Sequence, residues 1–442
     1  DALPISQSPI PNPQSPFINE YSFILNIYNK KYIKVLFKKI KMDIKYKKIL
    51  IDFGIRYTKV GFITDSEPMK IIQTPSVLNI DEYFKEKSDS KSVLCFKRNS
   101  LKKILELEEF ASYIINDILQ IYKLDNKYTY YCYILYDLDL KENFKDVYTS
   151  FIKYIFDTFS FIASIKIIPK KIFPVFVSGF YSGIILNCGY SYSSITVVNN
   201  GLCVFSKRVE FCSCYMQKTL YNLIVEDIHK GKNGNKLDEK NFDIVKKNII
   251  KYMDDFMVRI SYILNKKLSN EYKHLSGEET NETNEKENFA KIGFYPDVPL
   301  FKIGFNTRIF IGEKLFEENS KNNLAYLILK TLAENVPCEI RKKIGSNIIL
   351  SGGLTMLEGF YQRFSDEINY ISNNNNEFKI LNGIKNDLRI NKIIYPRNIL
   401  SWVGASLFLS FNKVNFPGNE INRENKKIDD DELNKIFENL RI

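Results

Sequence analysis

Two short segments of the chain, 135 residues apart, combine the residue types that hold an anion at the end of a strand. Asp52-Phe53-Gly54 follows three apolar residues, and Asn187-Cys188-Gly189 does the same. In both places a short turn leads into a second apolar run, which is typical of a β-hairpin. Glycine permits positive φ and lets backbone N–H groups approach a ligand, and a concave set of N–H groups binds anions. Two such hairpins facing each other would hold the phosphates of one nucleotide from both sides.

A third segment, Asn347–Phe360, has a different chemistry. An apolar strand runs into Gly352 and Gly353, and a helix is expected to begin near Thr355. Residues without side chains let the backbone lie flat against a ring system, and the start of a helix favours an anion. One such turn alone is uninformative, but after two phosphate-type hairpins it predicts a nucleoside contact.

The elements that must position these turns follow from hydrophobic periodicity. The order from residue 42 is β–β–α–β–α–β, then the second hairpin, which predicts a mixed sheet covered by helices. Strands are predicted at 130–136 and 165–168, and helices at 107–124, 143–161, 172–181, 215–229 and 242–267. Polar sequence predicts a disordered insert at 275–288 and a low-complexity loop at 373–376. The apolar face within 429–440 is expected to pack on its own domain or to dock a partner.

Composition bounds the class of protein. At 442 residues, 45% hydrophobic and 26% charged, the chain is expected to form two lobes. The net charge is +11, but residues 30–48 carry nine lysines and one aspartate, so +8 lies in nineteen residues. This distribution argues against a broad nucleic-acid groove. The seven cysteines lack a zinc pattern, and only His229 and His274 are available, so histidine catalysis is not expected.

The first 41 residues are expected to lie outside the fold. The chain begins with Asp1, and Met42 stands shortly before the first core strand. We interpret 1–41 as a disordered or artefactual leader; the alternative is a basic targeting or membrane-surface segment at 23–41. No apolar run is long enough to predict a membrane span.

Several motifs in register closely resemble actin and its relatives. They are Gly54 to Phe62, Pro75-Ser76-Val77, Arg308–Phe316 (RIFIGEKLF), Pro337–Lys342 (PCEIRK), Asn347–Ile368 and Ser401–Ser406 (SWVGAS). The similarity runs from about Lys47 to Phe411 with gaps. The chain is therefore identified as a member of the actin superfamily.

The resemblance implies a two-lobed α/β actin/hexokinase-type fold, with mixed five-stranded sheets and ATP or ADP with Mg²⁺ in a central cleft. The first phosphate loop would comprise Asp52, Gly54, Ile55 and Arg56, with Lys59 reaching the phosphates. The second would comprise Asn187, Gly189, Tyr190 and Ser191, and the nucleoside side Gly352, Gly353, Thr355 and Met356.

The implied phosphate loops depart from the actin pattern. Actin carries Ser-Gly where this chain has Ile55-Arg56; Ile55 offers no hydroxyl, and Arg56 would reach a phosphate or point to solvent. Actin's second loop reads Asp-x-Gly-Asp-Gly, but here Asn187 and Tyr190 replace both carboxylates that order Mg²⁺ and its waters. Tyr190 also adds bulk.

The implied catalytic positions are changed as well. Actin's water-orienting glutamine and histidine fall on Lys170 and Ser194, and Asn398 stands where a lysine is usual on the adenine side. Because phosphoryl transfer depends on positioning and charge stabilisation, we expect no catalytic residue and no hydrolysis. Nucleotide would bind weakly, statically or not at all, with no direct metal ligand and at most a water-mediated Mg²⁺ near Asp52.

The resemblance also sets expected domains. The small lobe would comprise residues 42–177 and 400–442, with a shortened second subdomain at 76–104. The large lobe would comprise residues 178–399. It would include a fourth subdomain at 214–306, which contains a disordered insert at 275–290. Only about thirty residues separate Pro75-Ser76-Val77 from the helix near Leu107, too few for the plug that actin inserts into a neighbouring subunit. A subunit without this plug would cap a filament.

Within the superfamily, the chain is most similar to the divergent actin-related subunit at the pointed end of dynactin's short filament. The similar segments include Leu186–Tyr190 and Ala325–Glu367. The implied partners are subunits of an actin or actin-related filament and dynactin-like pointed-end subunits, in the cytoplasmic cytoskeleton, with no nucleic acid.

Three alternatives stay open. The first is a nuclear actin-related subunit of a chromatin-remodelling complex, for which 233–288 would be an insert. The second is a generic actin-like protein. The third is a sugar kinase, which shares the paired hairpins but needs a carboxylate base for which the sequence has no recognisable motif.

Overall fold

The computed structural model describes residues 46–74, 108–116, 129–137, 142–209, 211–231, 237–277, 290–293, 300–317, 320–411, 420–422 and 433. The strands are β1 (Tyr46–Asp52), β2 (Tyr57–Phe62), β3 (Lys70–Gln73), β4 (Thr129–Tyr136), β5 (Ile162–Pro169), β6 (Gly183–Cys188), β7 (Ser193–Asn199), β8 (Leu202–Val209), β9 (Ala290–Ile292), β10 (Phe301–Ile303), β11 (Ile348–Ser351) and β12 (Glu420–Asn422).

The described helices lie between groups of these strands. They are α1 (108–116), α2 (Glu142–Thr158), α3 (Pro174–Val177), α4 (Ser213–His229), α5 (Glu239–Lys251), α6 (Met253–Ile260), α7 (Lys266–Gly277), α8 (Phe305–Leu315), α9 (Leu324–Glu334), α10 (Cys338–Gly345), α11 (Phe360–Asn374) and α12 (Leu400–Phe411). Short 3₁₀ helices cover Gly353–Met356, Asn376–Leu381, Lys385–Asp387 and Arg397–Ile399.

Two mixed sheets organise the two lobes. The first has the order β12-β5-β4-β1-β2-β3 and the second β11-β6-β7-β8, while β9 and β10 form a separate pair. The α/β architecture matches the expectation, but the described strands divide six and four rather than five and five. The edge strand β12 extends the first sheet antiparallel to β5, and the second sheet gains a single parallel bridge between Ile348 and Ile390.

The two predicted hairpins have equivalent registers. β1 pairs with β2 so that Asp52 lies opposite Lys59, and β6 pairs with β7 so that Asn187 lies opposite Ser194. Each hairpin also carries a parallel neighbour, β4 on β1 and β11 on β6. Since carboxyl ends of parallel strands meet at one edge of a sheet, each sheet presents its hairpin turn beside the end of another strand.

A hydrophobic core between the sheets joins the lobes. Leu50, Ile185, Ile349 and Trp402 all belong to it and are at most 1% exposed. Trp402 Nε1 donates to Leu50 O at 3.1 Å, which fixes α12 against β1. This core keeps the two hairpins at a defined separation.

The large lobe also contains a buried ion-pair network. Arg363 Nε donates to Glu367 Oε1 at 2.8 Å, one turn along α11, and Arg363 Nη1 lies 3.1 Å from Glu313 Oε1. Lys266 Nζ is 3.2 Å from Glu367 Oε2. Both Arg363 and Glu367 are almost fully buried, so each charge depends on these partners.

Three predicted helices are wrong in extent. The helix predicted at 172–181 is the single turn α3, because Pro174 starts it and Gly179, at φ +80°, follows it. The helix predicted at 242–267 is three helices, broken at Tyr252 and at the extended residue Ser261. The segment near Thr355 is a 3₁₀ turn, and the α-helix begins only at Phe360.

Two predicted loops also differ from the structure. Residues 373–374 end α11 and Asn376 starts a 3₁₀ helix, because the side chain of Asn375 accepts from the N–H of Glu377 between them. Of the predicted insert, 275–277 belong to α7 and Ala290 to β9, while 278–289 lie outside the described residues.

The predicted leader at 1–41 and the shortened second subdomain at 76–104 lie outside the described residues. Of the terminal segment only Leu433 is described, and it is buried in the first lobe's core, as own-domain packing predicts.

No described helix is long and apolar enough to cross a membrane.

Candidate functional site

The first turn, 53–56, is shaped by Gly54. A Cβ on Gly54 would lie 2.4 Å from the carbonyl oxygen of Tyr57, so any side chain would displace the backbone. Thr74 Oγ1 donates to Gly54 O at 2.6 Å and Thr74 N donates to Arg56 O at 3.0 Å, which ties the turn to the end of β3. The turn is therefore held tightly before any ligand arrives.

The second turn, 189–192, repeats this geometry. A Cβ on Gly189 would lie 2.6 Å from Tyr192 O, and Gly189 N donates to Tyr192 O at 3.1 Å. Ser213 N and Cys214 N, at the start of α4, donate to Gly189 O and Tyr190 O at 3.0 and 2.9 Å. Because these helix donors are used by the turn itself, they are not available to a ligand.

Asp52 lies at the centre of a buried charge cluster. Its Oδ2 is 3.0 Å from Lys59 Nζ and its Oδ1 is 3.0 Å from Lys170 Nζ, at the end of β5. Burial alone would raise the pKa of Asp52, but the ammonium groups of Lys170 and Lys59 outweigh it and lower that pKa to about 2. The carboxylate is thus permanently ionised near neutral pH.

The two lysines respond differently to the same carboxylate. Burial lowers the pKa of Lys59, and the Asp52 charge only partly offsets it because Lys170 acts in the same direction as burial. For Lys170 burial is outweighed by Asp52 and Asp137, so its pKa is raised. Lys170 therefore remains a cation and cannot serve as a base.

A small cavity adjoins this cluster. Asp137, Lys170, Asn187 and Ser194 line it together with Lys171, Pro174, Thr196 and Ser401. The volume open to a water centre is about 10 Å³, which is about the space of one water molecule. The positions where the resemblance implies water-orienting residues therefore meet around this cavity, but they carry an ammonium and a hydroxyl.

Arg56 crosses from the first turn to the other lobe. Its Nε lies 2.6 Å from Oδ2 of Asp254, in the first turn of α6, and Tyr57 Oη donates to the same oxygen at 2.7 Å. Gln217 Nε2, in α4, donates to Oδ1 of Asp254 at 2.5 Å. The Arg56 guanidinium also lies 5.5 Å from the ring centroid of Tyr190. Of the two alternatives for Arg56, the one in which it points to solvent is wrong, since this pairing buries the guanidinium group.

Asp254 and Gln217 are not among the site residues that the sequence predicts. Asp254 is 198 residues from Arg56 and stands within a segment predicted as one continuous helix. The acidic pair Asp254-Asp255 marks the start of α6, but it gives no signal of a partner in the other lobe.

The polar atoms of the turns that are buried without a hydrogen-bond partner among the described residues include Nη1 of Arg56 and Oγ of Ser191. Each belongs to one of the two turns, which approach one another through Arg56 and Tyr190. An unsatisfied buried donor costs about 1–3 kcal/mol, so both atoms favour an anionic or polar ligand between the turns.

The diglycine turn lies against the second hairpin. Gly352 has φ +95°, and a Cβ on it would lie 2.2 Å from the carbonyl oxygen of Cys188. Among the described residues, no atom lies within 4 Å of the corresponding position on Gly353, so this part of the described structure leaves space for a ligand there. Thr355 Oγ1 donates to Gly352 O at 2.7 Å, and Met356 is 38% exposed.

The far side of the diglycine turn is held by Arg397. Its carbonyl accepts from Gly352 N at 2.9 Å, and its Nη1 donates to Thr355 O. Oδ1 of the neighbouring Asn398 is buried with no hydrogen-bond partner among the described residues. The three predicted turns are thus neighbours, since Arg56 lies against Tyr190 and Gly352 lies against the backbone of Cys188.

The residues present do not fit a Mg²⁺ ion. Both carboxylate oxygens of Asp52 already accept from ammonium groups, and neither Asn187 nor Tyr190 is a carboxylate. The further carboxylate at the cavity, Asp137, lies near the ammonium group of Lys170 and raises its pKa. Among the described residues, no group of three or more His, Cys, Asp or Glu could hold a metal. A divalent cation prefers anionic oxygen ligands, and here it would face two cations.

A two-lobed α/β fold with paired hairpin turns across a cleft defines the class of actin-type proteins. The family model described as Actin matches residues 44–424, which is most of the chain. The chain belongs to the actin family. Putative actin-29 of Dictyostelium discoideum is 33% identical over 118 residues, which is 26% of this chain. The matched part spans 28% of that relative's length.

These comparisons confirm the resemblance at the level of the family. Actin family members bind ATP or ADP with Mg²⁺ and associate with actin-type subunits. The site residues of this chain, and the finer similarity to a dynactin subunit, stay predictions.

Proposed function

We propose that this chain is a non-hydrolysing structural subunit that caps the pointed end of a short actin-related filament of the dynactin type. Its adenine nucleotide, when present, is static rather than turned over. The observation that carries the proposal is the double ion pair of Asp52 with Lys59 and Lys170.

The ion pairs argue against hydrolysis for two reasons. A water attacking a phosphate needs a group that orients it or accepts its proton, and protonated Lys170 has no lone pair to do so. Ser194 shares the cavity with Lys170, and its hydroxyl does not replace a base. The site also has Asn187 and Tyr190 at the two positions where the resemblance implies carboxylates that order a metal beside the phosphates.

The Arg56–Asp254 contact supports a static cleft. It joins the first turn to α6 of the other lobe, and Tyr57 and Gln217 bond to the same carboxylate. A link of this kind stabilises the closed arrangement of the lobes without a nucleotide. A capping subunit needs one fixed shape, whereas a cycling filament subunit changes with its nucleotide.

An exposed apolar patch supports contact with another subunit. It comprises Phe180, Tyr181, Leu202 and Val204, which are 56%, 63%, 71% and 50% exposed. The first two precede β6 and the others lie on the edge strand β8, and Gly201 N donates to Tyr181 O at 2.7 Å, which holds the pieces together. Exposed edges and contiguous apolar patches mark interaction sites.

Two measurements test the proposal. The purified chain should release phosphate from ATP no faster than a sample without protein, and steady-state release comparable to actin's would contradict it. Affinity purification with mass spectrometry should recover actin-related filament subunits and dynactin components. Recovery of chromatin remodellers would favour the nuclear alternative, and phosphorylation of a hexose panel would favour the kinase.

A pair of variants tests the surface. Leu202→Lys places a charge in the apolar patch and should weaken association with the recovered filament subunits by about tenfold or more. Ile380→Lys, at a residue 62% exposed on the 3₁₀ helix Asn376–Leu381, is the matched control and should leave association unchanged. Equal binding by both variants would remove this patch from the interface.

A further inference from the structure

The charges around the phosphate side of the cleft are unusual for a site that would use a divalent cation. Lys59, Lys170 and Asp52 together carry a formal charge of +1, and both Asp52 oxygens are occupied. The sum stays +1 when Asp137 and Lys171, which line the adjoining cavity, are included. Asn187 and Ser194, which lie opposite each other on the second hairpin, are neutral. Positive charge is therefore supplied at this point by the chain itself.

The donors left over point to an anion between the turns. Arg56 binds Asp254 through Nε, while its Nη1 is buried without a hydrogen-bond partner among the described residues. Ser191 Oγ, on the opposite turn, is also buried without a hydrogen-bond partner among the described residues, and Ser191 is only 5% exposed. Phosphate oxygens accept several hydrogen bonds at once and pair well with guanidinium and ammonium groups.

We propose that this chain binds the polyphosphate of a nucleotide without a divalent cation, with Lys170 and Lys59 supplying the positive charge. Arg56 Nη1 and Ser191 Oγ donate to the phosphate oxygens. This inference rests on the proposed non-hydrolysing function, and it specifies that the nucleotide is bound as the metal-free anion. Asp52 in this arrangement positions the two lysines and does not order metal-bound water.

The proposal makes binding independent of Mg²⁺. The full chain is titrated with ATP by calorimetry, once with Mg²⁺ and once with excess EDTA. The two dissociation constants are expected to agree within about threefold, because no metal contact is lost. A constant at least tenfold weaker in EDTA would overturn the proposal, and so would the absence of binding in both buffers.

Charge variants identify the groups responsible. Lys170→Gln removes the charge, keeps a polar side chain that is one atom shorter, and leaves Asp52 paired with Lys59. It should weaken binding in EDTA by about tenfold, as for the loss of one charge-assisted hydrogen bond. Lys342→Gln is the matched control, since it removes the same charge from a side chain that is 67% exposed and pairs with Asp387. Unchanged affinity of a folded Lys170→Gln chain would overturn the role of Lys170.

The comparison of the two buffers uses the unmodified chain, so it remains decisive even if a variant misfolds. Its failure can also be distinguished from a failure of the proposed function. Metal-dependent binding without phosphate release would overturn only this inference, whereas phosphate release at an actin-like rate would overturn the proposed function.

Discussion

Nε of Arg56 lies 2.6 Å from Oδ2 of Asp254 and joins the first hairpin of one lobe to helix α6 of the other. Asp254 accepts from Tyr57 and Gln217 as well, so three side chains converge on one carboxylate. Burial alone would lower the pKa of Arg56, but Asp254 reverses this and raises it, which keeps the guanidinium charged. Protein atoms thus form a bridge across the cleft.

Removing the carboxylate of this bridge should loosen the cleft. Asp254→Asn leaves Arg56 buried beside a neutral partner, and we expect a loss of about 2–3 kcal/mol in the free energy of unfolding. Asp255→Asn is the control, because Asp255 pairs with Arg259 on an exposed helix face, where a pair contributes about 0.3–0.5 kcal/mol. Urea unfolding measures both, and faster hydrogen exchange of residues 53–56 should appear only in Asp254→Asn. Identical unfolding of the two variants would contradict the bridge.

Stability should depend on pH through Asp52. Its pKa is lowered from 3.8 to about 2 in the folded chain, so its contribution is present above the unfolded pKa and is lost as the pH falls through the folded one. This pKa shift corresponds to a contribution of about 2 kcal/mol to the free energy of unfolding at pH 7, and about half of that contribution is lost by pH 3. Urea unfolding of the wild type and Asp52→Asn between pH 7 and pH 3 should show the difference in stability shrinking. A difference that is constant over this range would contradict the assignment.

The packing of the diglycine turn separates two adjacent glycines. Gly352→Ala forces a side chain to positive φ and against the Cys188 backbone, and we expect it to cost about 3 kcal/mol. Gly353→Ala, at an open position, should change stability by less than about 1 kcal/mol. Thermal unfolding of both variants distinguishes them. Equal effects would mean that the turn does not press on the second hairpin as described.

The buried network on α11 gives a further test. Arg363→Lys keeps the charge but loses the guanidinium donors to Glu367, Glu313 and the carbonyl of Leu264, and we expect destabilisation of about 3 kcal/mol. Arg259→Lys, on an exposed part of α6, should change the free energy of unfolding by less than about 0.5 kcal/mol. Urea unfolding at neutral pH measures both. If Arg363→Lys had the same urea unfolding midpoint as the wild type, the planar guanidinium geometry would contribute nothing to stability.

Local patterns in the sequence predict the local parts of the site well. Apolar runs, a short turn and a glycine suffice for each hairpin, since the registers Asp52 to Lys59 and Asn187 to Ser194 depend on near neighbours. Helix lengths were predicted less well. Apolar periodicity continues through Tyr252 and Ser261, where the backbone turns because the lobe packs three short helices instead of one long one.

The sequence by itself determined the actin-type order of elements, both hairpin turns, the diglycine turn and the replacement of the acidic residues by Asn187 and Tyr190. These depend on residue type and short spacing. The tertiary structure alone decided that Lys170 reaches Asp52 over 118 residues and that Arg56 reaches Asp254 over 198. Partners so far apart are selected by how two sheets and their helices pack, and the energy of a buried charge depends on those partners.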